Sequence, residues 1–359
     1  MSVVAKHLSP PFPGRLRGAA RAVLAFGLTV GVAIALLGLS TASRAASAAS
    51  LTVLMGDDSA AHSEFVQQLR ASQDGGRFEL VRLSSTGDMP QTIETAGAEP
   101  EPRANAGVRT RSMRPSAADA GLTMAVGVAA ARAAVERPGQ EPLVLAMLSR
   151  LDYEILKASS PALKRADRRV GVLLRDPAMA DQLALISAVL PQKHRIGVVA
   201  TPESEPLVRE LQRAAQGANP AWDVHVEYAP DARSLAAALR TVVPLSDALM
   251  VLPDLIGDNQ AATLSVLRAG AGAGLPVFGA SEGLVRSGGL AAAVSTPSQL
   301  AQQARLLGQK VASASNNSNS PLVEAATPAT VRVNATVARG LGLRLPEERE
   351  LTDRLAVTR

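Results

Sequence analysis

The stretch from Arg195 to Glu282 constrains the fold most tightly, because apolar runs of strand length alternate there with longer helical patterns. RIGVVA (Arg195–Ala200) runs into Thr201-Pro202, and HVEYA (His225–Ala229) follows a helical stretch. A second helix leads to ALMVLPD (Ala248–Asp254), and a third leads to PVFGASEG (Pro276–Gly283). Short buried runs separated by crossover helices build a parallel sheet with helices packed on its faces. Ligands of such sheets bind beyond the carboxyl ends of the strands, which singles out Thr201, Asp254, Ser281 and Glu282.

The same alternation opens the body of the chain. LTVLMGDD (Leu51–Asp58) and FELVRL (Phe78–Leu83) read as strands around a helix through Phe65, Val66 and Leu69. LTMAVG (Leu122–Gly127), an Ala-rich helix to Val135 and PLVLAML (Pro142–Leu148) follow, so this half has four expected strands. The intervening residues 84–120 are rich in Ser, Pro, Gly, Ala and Glu and lack apolar periodicity, which marks a flexible insertion. RVGVLL (Arg169–Leu174) and the helix Asp181–Leu190 lead into the second half. LAAAVS (Leu290–Ser295), an amphipathic helix over Gln299–Val311 and the polar tract Ala312–Pro321 come later.

At 359 residues the chain is long enough for about two domains. The expected fold class is α/β: two lobes, each a central parallel sheet flanked by helices, with a ligand cleft between them. The expected boundaries are 49–163 plus 296–318 for the first lobe, 164–295 plus 328–348 for the second, and 349–359 as a tail. Crossings between lobes fall near residues 160–168, 290–298 and 318–332.

The net charge of +5 comes from the amino-terminal leader. Lys6, Arg15, Arg17, Arg21 and Arg44 lie there without an acidic partner; the remaining 32 of the 37 basic residues face 32 acidic ones. A balanced body offers no electrostatic footprint for nucleic acid or an anionic membrane. The leader has a basic start, an apolar run over Ala22–Leu39 and Ala46-Ser47-Ala48 as an A-x-A site, the layout of a secretory signal peptide over residues 1–48. The alternative is an uncleaved anchor, although Gly27, Gly31 and Gly38 weaken a spanning helix. With no cysteine in the chain, disulfides and a lipidated mature start are both excluded. The expectation is a soluble, monomeric periplasmic protein.

The order of several segments carries a family resemblance: DQLALISAVLPQKHRIGVVATPES, DALMVLPD, LPVFGASEGLVRSGGLAAAV and VRVNATVARGLGLRLPEE. The chain resembles bacterial ABC-transporter substrate-binding proteins of the type I periplasmic fold, in the broad group that includes tryptophan- and tyrosine-type components. The likeness is good over residues 165–348 and weaker over 51–150. It implies capture of a small solute between two lobes and delivery to an ABC permease in the inner membrane, without catalysis. Where the family usually has Gly-Thr or Gly-Ser after the third strand, this chain has Gly127-Val128 and loses a hydroxyl donor. The body's few aromatics (Phe65, Phe78, Tyr153, Trp222, Tyr228 and Phe278) offer little for an aromatic ligand to stack on.

Asp57 and Asp58 at the end of the first strand either pair with a ligand amine or start the next helix as caps. Asp254 and Thr201 occupy the matching places in the other half. Gly279-Ala280-Ser281-Glu282-Gly283 fits G-x-S-x-G, but His7, His62, His194 and His225 all precede Ser281, against the order of a hydrolase of that fold. The histidines lack metal-ligand spacing and no phosphate-loop lysine motif is present, so neither metal nor cofactor is expected. The expected ligand site is Asp57, Asp58, Gly127, Val128, Thr201, Asp254, Ser281 and Glu282, with Arg175 as the nearest cation. Its acidity suits a small, amine-bearing, amino-acid-like solute. A ligand-free sensory or interaction module with the same fold is the alternative, and a serine hydrolase using Ser281 is a weaker one.

Overall fold

In a computed structural model, which describes residues 50–73, 77–83, 91–96, 121–164, 168–314 and 320–357, the alternation resolves into two sheets within one unit. In chain order come β1 (Leu51–Met55), α1 (Ala60–Ala71), β2 (Phe78–Arg82), β3 (Gln91–Ala96), β4 (Leu122–Val126), α2 (Gly127–Glu136), β5 (Leu143–Leu148) and α3 (Arg150–Ser159). Then follow β6 (Val170–Pro177), α4 (Met179–Val189), β7 (Arg195–Ala200), α5 (Glu205–Gly217), β8 (Asp223–Tyr228), α6 (Ala232–Val242), β9 (Ala248–Val251), α7 (Gln260–Ala273) and β10 (Val277–Gly279). The chain ends with α8 (Glu282–Arg286), β11 (Ala291–Val294), α9 (Pro297–Ser313), β12 (Leu322–Ala326), β13 (Thr330–Val333), α10 (Ala335–Gly340) and α11 (Glu348–Val357).

The first sheet runs β12-β6-β5-β4-β1-β2-β3 and the second β13-β11-β10-β9-β7-β8. All pairings are parallel except β2 with β3 and β11 with β13, which lie at or next to sheet edges. Parallel strands are covered on both faces, and the sequence shows it: every residue of β5 (LVLAML) and β9 (ALMV) is buried. On one face of the first sheet Phe65, Leu69, Leu300 and Leu307 bring in α1 and α9; on the other, Ala130, Ala134, Tyr153 and Leu156 bring in α2 and α3. The second sheet is sandwiched likewise, by α4, α5 and α11 through Leu183, Leu211 and Leu351, and by α6 and α7 through Leu239 and Val266. Each buried Leu of this kind contributes about 1.5–3 kcal/mol relative to an exposed one.

Local chemistry fixes where helices begin. Ser149 and Asp152 form a reciprocal capping box on α3, Asp231 caps α6, Asn259 caps α7, and Thr296 with Pro297 starts α9. α7 ends at Gly274, which takes a left-handed φ of 66°.

The chain passes between sheets at three places: after β6 into α4, after β11 into α9, and between β12 and β13. Two of these passages are tied together, since Ser295 Oγ donates to the Thr327 carbonyl at 2.6 Å. The buried Gln182 of α4 donates to the Ala293 carbonyl at 2.8 Å and accepts from the Ala293 amide at 3.2 Å. Its carboxamide thus satisfies both backbone groups of a β11 residue beyond the last β10 pairing, Gly279 with Ala292.

Three sequence expectations change. The strand Val170–Pro177 does not open the second lobe at residue 164; it pairs with β5 and β12 in the first sheet. Sheet membership is decided by partners remote in sequence, and an apolar run does not name its neighbours. The expected insertion 84–120 contains β3, antiparallel on β2, while 84–90 and 97–120 lie outside the described residues. The expected tail 349–359 is largely α11, seated by Leu351 and Leu355 one turn apart. The leader 1–48 also lies outside the described residues.

Candidate functional site

The carboxyl end of β6 meets the carboxyl ends of β9 and β10 around a pocket of about 250 Å³. Arg175 and Asp176 come from the first sheet; Leu252, Pro253, Asp258, Ala280 and Ser281 come from loops of the second. An ion pair spans the two sheets here, with Arg175 Nη2 3.8 Å from Asp258 Oδ2. Pro177 immediately follows, where the chain leaves the first sheet, so the pocket adjoins a crossing segment.

Asp176 carries the unusual electrostatics. Its side chain is 18% exposed, while Oδ2 is sealed from solvent and has Arg175 Nε as its ion-pair partner at 3.5 Å, long for a charge-assisted bond. Burial pushes this carboxyl up to about 6, opposed by the Arg175 charge and reinforced by Asp258 and Asp152. Sequence reasoning reached Arg175 and missed Asp176. The available signal was an Arg-Asp-Pro run closing an apolar strand.

Ser281 lines the pocket, and its hydroxyl accepts from the Leu284 amide at 3.1 Å, which makes it the N-cap of α8. The G-x-S-x-G pattern thereby has a packing account. A Cβ on Gly279 would collide with Leu284 Cδ2, so glycine lets α8 close onto β10. Glu282 is exposed and pairs with Arg286 at 3.2 Å and Arg332 at 3.9 Å. Asp254 faces inward instead: it is 1% exposed and accepts from Ser204 Oγ at 2.5 Å, Ile256 N at 2.9 Å and Gly257 N at 3.0 Å. Burial raises its carboxyl despite these donors. Thr201 is buried with Oγ1 2.9 Å from Ser204 Oγ, and it borders a separate hollow with Asp231 and Asn259. Thr201, Ser204 and Asp254 thus form one polar network that shapes the loops after β7 and β9.

The remaining expected residues gather at the carboxyl ends of β1 and β4, where the order of the first sheet reverses. Asp57 Oδ1 lies 2.7 Å from His62 Nδ1 and accepts from the Ser59 amide at 3.1 Å. Partial burial raises the Asp57 carboxyl, but Ser59 and His62 outweigh it and hold it below the usual range. Asp58 pairs with Arg82 at 2.9 Å. Gly127 has φ of +81°, and a Cβ there would come within 2.7 Å of the His62 ring, so α2 starts directly under that ring. Val128 is half-buried against the α2 side of the first sheet and presents no polar group. His62, in contact with both Asp57 and Gly127, is the member of this group that sequence reasoning did not select.

Comparison with known proteins agrees with this architecture. A crystal structure of a conserved domain protein from Vibrio cholerae is 19% identical, with TM-score 0.50, over 86% of this chain and 98% of that one. The ligand-free, open structure of a substrate binding protein with adhesive properties from Clostridium difficile is 17% identical, with TM-score 0.56, over 83% and 96% of the two chains. At such identities the likeness establishes the fold, that of the type I periplasmic binding proteins. Among curated proteins none matches the chain. The sequence profile of the family described as ABC transporter substrate binding protein matches residues 112–352, which is most of the chain, and the protein belongs to that family.

Proposed function

We propose that this protein is the periplasmic solute receptor of an ABC importer and that it captures a small, amino-acid-like solute in the pocket between β6 and the β9 and β10 loops. The observation that carries the reading is the composition of that pocket. Arg175 and Asp176 on the β6 side and Asp258 on the other offer both signs of charge within about 250 Å³. A zwitterion satisfies both, whereas a sugar uses neither and a phosphate meets two carboxylates. The small volume and the absence of aromatic side chains among the described residues that line it argue for a compact solute rather than a tryptophan-sized one.

The Asp57–His62–Gly127 cluster supports the same reading from the carboxyl ends of β1 and β4, the same edge of the first sheet, where ligands of open α/β sheets bind. The leader reads as a cleaved signal peptide, and amino-terminal sequencing of periplasmic protein should begin near Ala49. Thermal-shift screening of amino acids, small peptides, nucleosides and sugars tests the ligand class. A bound solute at one hundred times its dissociation constant stabilises the protein by about 2.7 kcal/mol. Hits confined to sugars or nucleosides would overturn the amino-acid reading, and silence across the whole screen would favour a sensory module that keeps the fold.

A further inference from the structure

We propose that two copies of this chain pair about a two-fold axis through the outer face of α6 and α7, in place of the monomer expected from the sequence. These helices follow the parallel strands β8 and β9 and run side by side in one direction, with a groove between them. Its first half, beside the loops after β8 and β9, holds about 420 Å³ and is bordered by Glu203, Asp231 and Leu255. Its second half, towards the end of α6, holds about 530 Å³ and is bordered by Leu239, Arg240 and Arg268. Leu235 and Ser265 line both halves, so the groove is continuous.

The groove is complementary to itself in charge and in shape. Among the described residues, Glu203 and Asp231 are the only charged side chains lining the first half, and Arg240 and Arg268 the only ones lining the second. Arg233, near the start of α6, does not line it. A two-fold axis near Leu235 and Ser265 sets the acidic half of each copy on the basic half of the other. The same rotation answers an exposed apolar side chain. Leu255 is 63% exposed at the acidic end, and the axis carries it to the apolar hollow over Leu239 at the partner's basic end. Leu245, beside that hollow at Pro244, is also exposed. With 11 and 14 residues, α6 and α7 present a face about 16–21 Å long and about 20 Å wide. That is less than the roughly 800 Å² per partner of a standard specific interface, so reversible pairing in the micromolar range is expected.

Sedimentation velocity on the mature protein, from low micromolar to millimolar concentration, should show a reversible monomer–dimer equilibrium. Leu255→Asp changes an exposed side chain and should weaken pairing at least about tenfold. Two charge reversals test the axis: Glu203→Arg in one variant, Arg240→Glu with Arg268→Glu in another. Each alone opposes like charges across the axis and should pair at least about tenfold more weakly than the parent, with circular dichroism verifying the fold. Mixed in equal amounts, the two variants bring opposite charges together again, and the mixture should dimerise more tightly than either alone. A parent that stays monomeric at every concentration overturns the proposal. So does a dimer indifferent to Leu255→Asp, a mixture that pairs no better than its components, or open-ended growth beyond a dimer. Solute capture stands or falls separately from all of these outcomes.

Discussion

Single carboxylates in this protein have opposite jobs according to their donors. Asp254 holds three donors and is sealed in, so it organises the β9 loop rather than touching a solute. Asp254→Ala strands the Ile256 and Gly257 amides and the Ser204 hydroxyl, and should destabilise the fold by roughly 3 kcal/mol, read as a lowered thermal midpoint. Asp176 is the reverse case. Its folded-state carboxyl is raised to about 6 from 3.8, so the native state binds the proton more tightly than the unfolded chain does. The resulting cost is absent below about pH 4, grows as pH rises and is complete above about pH 6, at about 3 kcal/mol. Asp176→Asn should therefore raise the thermal midpoint at pH 7.5 and match the parent near pH 4. Residues of this kind were only partly legible in the sequence. Position at a strand end pointed to Thr201, Asp254 and Ser281 alike, but whether a side chain turns toward a cap, a loop or a pocket depends on donors contributed by other segments.

Elements were more legible than their partners. The apolar runs at β1, β5, β7 and β9 announce strands, because sheets buried on both faces need unbroken hydrophobic segments. What the runs do not encode is adjacency: β6 looks like the start of a second half and is in fact held in the first by β5 and β12. α11 shows only two buried apolar residues, Leu351 and Leu355, too few to stand out in a charged segment. Gln182 illustrates a polar residue acting as part of an element. Replacing it with Ala leaves the Ala293 amide and carbonyl unpaired in the core beside a crossing, and about 2–4 kcal/mol of stability should be lost in thermal unfolding. Gln182→Glu should recover less than half of that, because a carboxylate there accepts but does not donate.

At the scale of the whole molecule, three crossings make each half discontinuous in sequence. The first sheet takes β12 from near the end of the chain, and one of its faces is covered by α9 through Leu300, Ala304, Leu307 and Val311. A fragment spanning residues 49–177 contains most of the strands of that sheet but neither of these pieces. It should show no cooperative thermal transition by circular dichroism, although the sequence from Leu51 to Leu148 reads as a self-sufficient α/β unit. Folding of either half thus waits for the last quarter of the chain, a long-range requirement of the kind that slows folding.

The terminal helix α11 has one more effect. β13 is the outermost strand of the second sheet, and its outward amides are occupied: Val331 N donates to Thr352 Oγ1 at 2.9 Å and Val333 N to Glu348 Oε1 at 2.8 Å. Two side chains of a helix thereby stand in for a neighbouring strand. Bare strand edges are templates for pairing with other chains. Ending the chain at Glu347 should expose these two amides together with the apolar surface under Leu351 and Leu355, and light scattering should register concentration-dependent self-association. The last ten or so residues thus serve as a guard against polymerisation.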